Sequence, residues 1–365
     1  MNLPPLQFAL VGCGGIAPTH ADALAALSDV RLVACCDSVP EQAAAFAQKQ
    51  GLRVLPFADM LSDPAIEAVT VCVPSGLHAE MGTQALAAGK HVILEKPMDV
   101  TLAACDRLIA ATKDAGRTLS VISQHRFDPA ALLVRETVQR GGLGALIMAD
   151  ARIPWYRTQE YYDSGDWRGT YALDGGGALM NQGIHTVDLM RWLCGPVQSV
   201  YAQTRTAAHA RIEVEDVACA TLTFASGAIG TLTASTALYP GFAARLAVYG
   251  TQGSAVIEGD TLNLLAVQGR DTLAGQYANI HALQVAQGGT KAATEGKARD
   301  ALTPASAASD PAAVWGEAHR AQLADFIHCC RTGQTPIVDG AGARAAVEIV
   351  LAVYESARTG QAVTL

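Results

Sequence analysis

The run Val11-Gly12-Cys13-Gly14-Gly15-Ile16-Ala17 has the spacing G-x-G-x-x-A. It directly follows the apolar stretch Phe8-Ala9-Leu10-Val11 and leads into an Ala/Leu-rich, helix-like segment. A glycine-rich turn alone is a weak signal; one between a strand and a helix is a strong one. Gly12 permits the tight turn, Gly14 lets the backbone approach a pyrophosphate, and Ala17 keeps helix and strand close. Gly15 and Ile16 stand at the helix start, where free N–H groups and the positive dipole end face phosphate oxygens. Asp37 ends the second apolar run, 25 residues after Gly12. A carboxylate there accepts hydrogen bonds from a ribose diol and repels a 2′-phosphate. No Arg follows it immediately, so NAD is preferred to NADP.

The elements that must position these residues alternate through the first third. Strand-like runs lie at 8–11, 31–36, 68–73, 91–94 and 119–123, with helical stretches at 40–50, 78–88 and 101–115 between them. Such alternation implies βαβ units and a doubly wound parallel sheet. The pattern changes near residue 125. Longer strand-like stretches follow at 146–153, 197–206, 216–224, 228–234, 244–249 and 254–258, with helices at 130–140, 318–331 and 341–359. The expected fold is α/β: a Rossmann domain over residues 1–125 and an α+β domain over 126–365 built on a large, mostly antiparallel sheet. The closing helices are expected to pack back on the first domain, and 267–312 reads as a loop or arm at a subunit interface.

Composition excludes several classes. The 365 residues are 50% hydrophobic and 16% charged, with a formal net charge of −8. Nucleic acid and anionic membrane surfaces need a basic face and are not expected partners. The chain shows no targeting segment and no apolar run of the about 18 residues that span a bilayer. Nine scattered cysteines without a C-x-x-C read as free thiols in a reducing compartment, so a cytoplasmic location is expected. No spacing suggests a metal site.

Two further clusters complete a pattern. Glu95-Lys96-Pro97 follows the run 91–94. Asp174-Gly175-Gly176-Gly177 leads through Asn181 to Gly183-Ile184-His185, with Trp167-Arg168 just before. With the fingerprint at 12–17, these motifs resemble the Gfo/Idh/MocA family, the glucose–fructose oxidoreductase and inositol dehydrogenase group, over nearly the whole chain. The resemblance implies an active site between the domains and a homodimer or homotetramer formed through the C-terminal sheet. It implies oxidation of a secondary hydroxyl on a sugar, sugar acid, nucleotide-sugar or cyclitol. That chemistry passes a hydride to nicotinamide and a proton to a base. His185 suits the base, and Lys96 suits a cation that holds the developing alkoxide. Many family members carry Asp four residues before the histidine, where this chain has Asn181. An amide cannot relay a proton, so the load shifts to Lys96 and His185, with Asn181 holding a substrate hydroxyl. Asn here, with Gln159-Glu160-Tyr161-Tyr162-Asp163 and Trp167-Arg168-Gly169, is similar to the branch that oxidises UDP-N-acetylglucosaminuronate at C3.

By the same resemblance, Pro74, Ser75, His78, Glu95, Lys96, Gln124, Trp167 and Arg168 line the cofactor. Arg152, Arg157, Tyr161 and Tyr162 are candidates for substrate contact, with Asn181 and His185. Asp188, one turn after His185, either orients its imidazole or caps a surface. Two other readings remain open: a glycoside-cleaving enzyme with transient oxidation by NAD, and a non-catalytic dinucleotide-binding regulator.

Overall fold

The computed structural model describes residues 4–269 and 316–365. The expectation of an arm at 267–312 therefore falls largely outside the described residues. Six parallel strands form the first sheet: β1 (Leu6–Val11), β2 (Val30–Cys36), β3 (Arg53–Val54), β4 (Ala68–Val71), β5 (His91–Leu94) and β6 (Leu119–Val121). Their order is β3-β2-β1-β4-β5-β6, a doubly wound arrangement whose crevice opens at the carboxyl ends of β1 and β4. Helices α1 (Ala17–Ala25), α2 (Pro40–Gln50), α3 (Phe57–Ser62), α4 (His78–Ala87) and α5 (Leu102–Ala115) join them. Because helices cover both faces, β4 is buried at every position. Local chemistry sets the helix ends. Pro40 opens α2, Gly51 closes it in the left-handed region at φ 70°, and Thr101 Oγ1 caps α5 by accepting from the Ala104 N–H. The two-residue strand β3 has both residues exposed, so no hydrophobic run announces it. The strand read at 68–73 stops at Val71, ahead of Pro74 and a 3₁₀ turn at Ser75–Leu77.

The second sheet has eight strands in the order β13-β12-β11-β7-β10-β9-β8-β14. These are β7 (Leu146–Pro154), β8 (Val197–Arg205), β9 (Val217–Phe224), β10 (Ile229–Ser235), β11 (Arg245–Gly250), β12 (Gly253–Glu258), β13 (Thr261–Val267) and β14 (Val363–Thr364). Pairing is antiparallel except between β7 and β10. Between the strands lie α6 (Pro129–Gln139), α7 (Gln159–Asp163), a π-helical turn (Ala178–Gly183) and α8 (Ile184–Cys194). Two last helices, α9 (Gly316–Thr332) and α10 (Gly340–Thr359), follow. Alternation along β9 puts Ala218, Ala220, Leu222 and Phe224 in the core and leaves Cys219 and Thr221 outside. The outer face carries exposed Tyr201 and Ile229. Helix α9 packs on α1, and its Phe326 meets Phe8 of β1 edge-on at 6.0 Å. Helix α10 packs on α8 and β8 and reaches α5 through Arg344 and Asp106, 2.5 Å apart. All nine cysteines are free. No described helix is long and apolar enough to cross a membrane.

Candidate active site

The dinucleotide crevice is built from the backbone. Gly12 sits at φ 91°, and a Cβ there would lie 2.6 Å from the Cys72 carbonyl oxygen, so only glycine fits. Gly14 is the opposite case: a Cβ would meet nothing within 4 Å, which leaves room for a pyrophosphate against the backbone. No side chain caps the start of α1; Pro18 has no N–H, and the Ala17 and Thr19 N–H groups donate to the Gly14 and Ile16 carbonyls, so the open room lies against the turn at Gly14 and Gly15. The Cys13 N–H donates to Asp37 Oδ2 at 2.7 Å and the Val39 N–H to Oδ1 at 2.8 Å. Asp37 thus ties the phosphate turn to the ribose position. Deeper in, Gln124 Oε1 is buried without a hydrogen-bond partner. A buried acceptor of this kind awaits a donor. The open turn, the uncapped helix, Asp37 and the orphan acceptor together fit NAD.

Lys96 follows β5, before a cis bond to Pro97. Its Nζ donates to the Asn181 carbonyl oxygen at 2.5 Å and lies 3.4 Å from Asn181 Oδ1. Lys96 and His185 line one cavity with Ser123 and Asp188. Burial pulls the Lys96 ammonium below the usual lysine range; Glu95 and Asp174 oppose this, and Arg168 and Arg157 add to it. Burial, then His125 and Lys96, hold His185 well below its ordinary value, so the imidazole is neutral. The His185 ring stands edge-on to that of His125, 5.4 Å away.

Glu95 is the buried anion beneath Lys96. Its Oε2 accepts from the Lys96 backbone N–H at 3.0 Å, and its Oε1 accepts from His20 Nε2 at 2.8 Å. Thr70 Oγ1 lies 2.9 Å from His20 Nδ1 and fixes the ring. His319 Nε2 stands 3.8 Å from the same Glu95 oxygen. Burial pushes the Glu95 carboxyl up, but the two imidazoles outweigh it and hold it well below the usual range. The donor atoms of His20, Glu95 and His319 lie within 4.8 Å of one another, a cluster that sequence spacing does not show. At 2.8 Å the first pair is closer than the about 3.3 Å separating two ligands of one tetrahedral ion. It is a hydrogen bond, and the cluster acts as a brace between α1, β5 and α9.

The second domain supplies the opposite wall. The Leu173 carbonyl accepts from the Gly76 N–H at 3.0 Å, docking the segment after Trp167 on the turn after β4. Arg168 Nη1 donates to Tyr161 Oη at 2.7 Å, and its guanidinium stacks 4.3 Å from the Tyr161 ring and 4.4 Å from Trp167. Gln182 Nε2 also reaches Tyr161 Oη, at 2.8 Å, and Asn181 Oδ1, at 2.7 Å. Arg157 Nε donates to Gln182 Oε1 at 3.1 Å. Lys96, Asn181, Gln182, Tyr161, Arg157 and Arg168 are therefore one connected network. The glycine-rich segment is held by Glu215, which accepts from the Gly177 and Leu179 N–H groups.

Several residues singled out in the sequence lie elsewhere. Arg152 points to the outer face of the second sheet, where it pairs with Asp150 at 2.9 Å. Tyr162 is buried, with its hydroxyl 2.8 Å from Thr236. His78 is 1% exposed and spans the Val73 and Pro97 carbonyls, so it braces the two turns and faces no cleft. Asp188 accepts from Arg126 Nε at 2.7 Å and from Ser123 Oγ, not from His185. Ser75 is 5% exposed within its turn, beside Pro74. Sequence spacing gives no role to His20, whose partners come from distant elements, to Gln182, which bonds Tyr161 and Asn181, or to Asp174, whose carboxylate meets Asn181 Nδ2. The short separation of Asp174 and Asn181 along one glycine-rich segment was the available signal.

Residues 6–123 match the oxidoreductase family with an NAD-binding Rossmann fold, and residues 131–256 match the GFO/IDH/MocA C-terminal domain. The chain is similar to the WlbA dehydrogenase from Bordetella pertussis, solved with NADH and UDP-GlcNAcA. The two are 31% identical, with 100% of this chain and 99% of that one covered and a TM-score of 0.85. It is 27% identical to the NAD⁺-dependent scyllo-inositol 2-dehydrogenase of Bacillus subtilis, over 99% of this chain and 96% of that protein. It is 31% identical to the D-glucoside 3-dehydrogenase of Escherichia coli, over 56% and 59%. The chain belongs to the Gfo/Idh/MocA family and is an NAD-dependent oxidoreductase acting on carbohydrate-type hydroxyl groups.

Proposed function

We propose that the substrate is a nucleotide-linked sugar acid and that Lys96, His185 and Asn181 carry out the oxidation of one of its secondary hydroxyls. The single observation behind this reading is the network that joins Lys96 Nζ to Asn181 and continues through Gln182 and Tyr161 to Arg157 and Arg168. Two guanidiniums beside a lysine suit an anionic sugar far better than a neutral cyclitol. The WlbA dehydrogenases from Bordetella pertussis and Chromobacterium violaceum, each 31% identical over this whole chain, were solved with UDP-GlcNAcA. When bound, NAD supplies the hydride acceptor. Neutral His185 takes the hydroxyl proton, Lys96 holds the developing alkoxide, and Asn181 accepts from a neighbouring hydroxyl. The same reading divides the chain at residue 125 into cofactor-binding and substrate-binding domains. It places the protein in the cytoplasm, as a homo-oligomer joined through the outer face of the second sheet, where Tyr201 and Ile229 are exposed.

The test is single-turnover absorbance at the NADH maximum, with enzyme, NAD and either UDP-GlcNAcA, a free sugar acid or myo-inositol. Reduction with the nucleotide-linked acid and little with the cyclitol supports the reading. Faster turnover of the cyclitol overturns the substrate class, and product sugar without NADH would indicate glycoside cleavage.

A further inference from the structure

Asn181 stands four residues before His185, and a carboxylate is nonetheless buried next to it. Asp174 is 1% exposed. Its Oδ2 accepts from the Gly169 N–H at 2.8 Å, and its Oδ1 accepts from Asn181 Nδ2. A carboxylate can only accept, so it fixes which end of the amide faces it. The amide oxygen is thereby turned the other way, toward Lys96 Nζ at 3.4 Å and Gln182 Nε2 at 2.7 Å. Two donors on one side and a carboxylate on the other leave one orientation of the Asn181 side chain without a clash of like groups.

We propose that Asp174 is a positioning residue of the site: it orients Asn181 so that an amide oxygen and a nearby negative charge keep Lys96 protonated where it is buried. The inference rests on the reading of Lys96 as the cation that holds the alkoxide. The charged groups facing Lys96 are Glu95 from the end of its own strand, Asp174 from the glycine-rich segment, and Arg157 and Arg168 from the opposite wall; His185 faces it from α8. Burial and the two guanidiniums work against the ammonium, while the charges of Glu95 and Asp174 and the Asn181 oxygens favour it. Asp174 is itself pushed up by burial, against the pull of Gly169, Asn181 and Lys96. The Gly169 N–H, the Asn181 amide and the ammonium each favour its charge, so Asp174 and Lys96 support one another.

The amide in place of a second carboxylate follows from this contact. Two carboxylates at the Asp174–Asn181 separation could not both ionise, and would share one proton. One acid and one amide deliver a single negative charge with a fixed direction. In this chain the acid and amide functions are divided between residues 174 and 181.

The experiment follows the titration of Lys96 by NMR in protein labelled with 13C at lysine Cε. The chain has six lysines, and Lys96→Arg assigns the signal. The measurement needs neither substrate nor NAD, so it stands whether or not the proposed reaction is found. Asp174→Asn preserves an acceptor for the Gly169 N–H and should lower the Lys96 midpoint by about 1 pH unit. The exchange Asp174→Asn with Asn181→Asp restores one acid and one amide in reversed order, and should return the midpoint to the wild-type value or above. On an active substrate the single change should lower kcat several-fold more than it raises KM, and the exchange should recover most of kcat. An unchanged midpoint in Asp174→Asn overturns the proposal, as does a midpoint that falls and is not restored by the exchange. If Asp174→Asn does not fold, Asn181→Leu reads the same chain of contacts from its other end. A lowered midpoint supports the proposal and an unmoved one overturns it.

Discussion

Two buried carboxylates flank Lys96, and the fold treats them in opposite ways. Glu95 is braced from within the first domain and α9, by His20 and His319, and is held well below the usual carboxyl range. Asp174 belongs to the second domain, contacts an amide and a backbone N–H, and is pushed above its ordinary value. The difference lies in the partners. Imidazoles can share positive charge with Glu95, whereas the Asn181 amide offers Asp174 only a dipole. Glu95 is thus an anion held by charge in the cofactor domain, and Asp174 is a carboxyl that burial pushes up against the pull of the Gly169 N–H, the Asn181 amide and Lys96. A site built this way has one rigid wall and one responsive wall.

Removing the group between them has the largest expected effect. Lys96→Ala should lower kcat by about 10² to 10³-fold, the usual cost of losing one electrostatic stabiliser. NAD affinity, measured by fluorescence titration, should change far less, because the crevice at Gly12–Ala17 and Asp37 is built separately. Equal losses in both quantities would mean that the lysine mainly holds the cofactor.

The next largest effect separates the two acids by pH. Glu95→Gln breaks a buried ion–imidazole pair and should cost about 3 kcal/mol of stability at pH 7. Glu95 has a folded pKa below its unfolded value, so its contribution is present above about pH 4.3 and fades as pH falls toward the depressed value. Asp174 has a raised folded pKa, so its contribution is present in acid and fades as pH rises through that value. Denaturant unfolding from about pH 2.5 to 8 should therefore show the wild type gaining on Glu95→Gln as pH rises to about 5, and losing ground to Asp174→Asn as pH rises through the raised Asp174 value. Parallel curves would show that the two acids are not different in kind.

What the sequence made legible follows the same division. The Rossmann half was readable because its cues are local. Pro40 and Gly51 bound α2, Thr101 caps α5, and Gly12 answers to a backbone need that no other residue meets. The short edge strands β3 and β14, by contrast, have two residues each, too few for any periodicity. Lys96 and His185 were found through motifs, and one cavity holds both. His20 lies 75 residues from Glu95, and nothing in a helix-like run marks one histidine as the partner of a distant acid. Arg152 was misplaced because strand alternation decides its face: with Ala151 and Ile153 turned inward, it must point out to Asp150. Asp174 was overlooked as a separate residue because its role comes from the turn of the glycine-rich segment, not from a helical or strand period.

The smallest expected effect tests the rigid wall itself. His20 makes a direct 2.8 Å hydrogen bond to Glu95 and is fixed by Thr70, whereas His319 stands 3.8 Å away with a buried Nδ1 that has no partner. The longer distance is beyond hydrogen-bond reach, so His319 acts on Glu95 through its field and its edge-on packing against the His20 ring. His20→Phe leaves a buried carboxylate oxygen without its donor and should cost about 1–3 kcal/mol in thermal or denaturant unfolding. His319→Phe keeps the ring contact, removes an unpartnered buried nitrogen, and should cost less than about 1 kcal/mol. Should the two substitutions cost the same, both imidazoles donate to Glu95 in solution, and α9 is as much a part of the brace as α1.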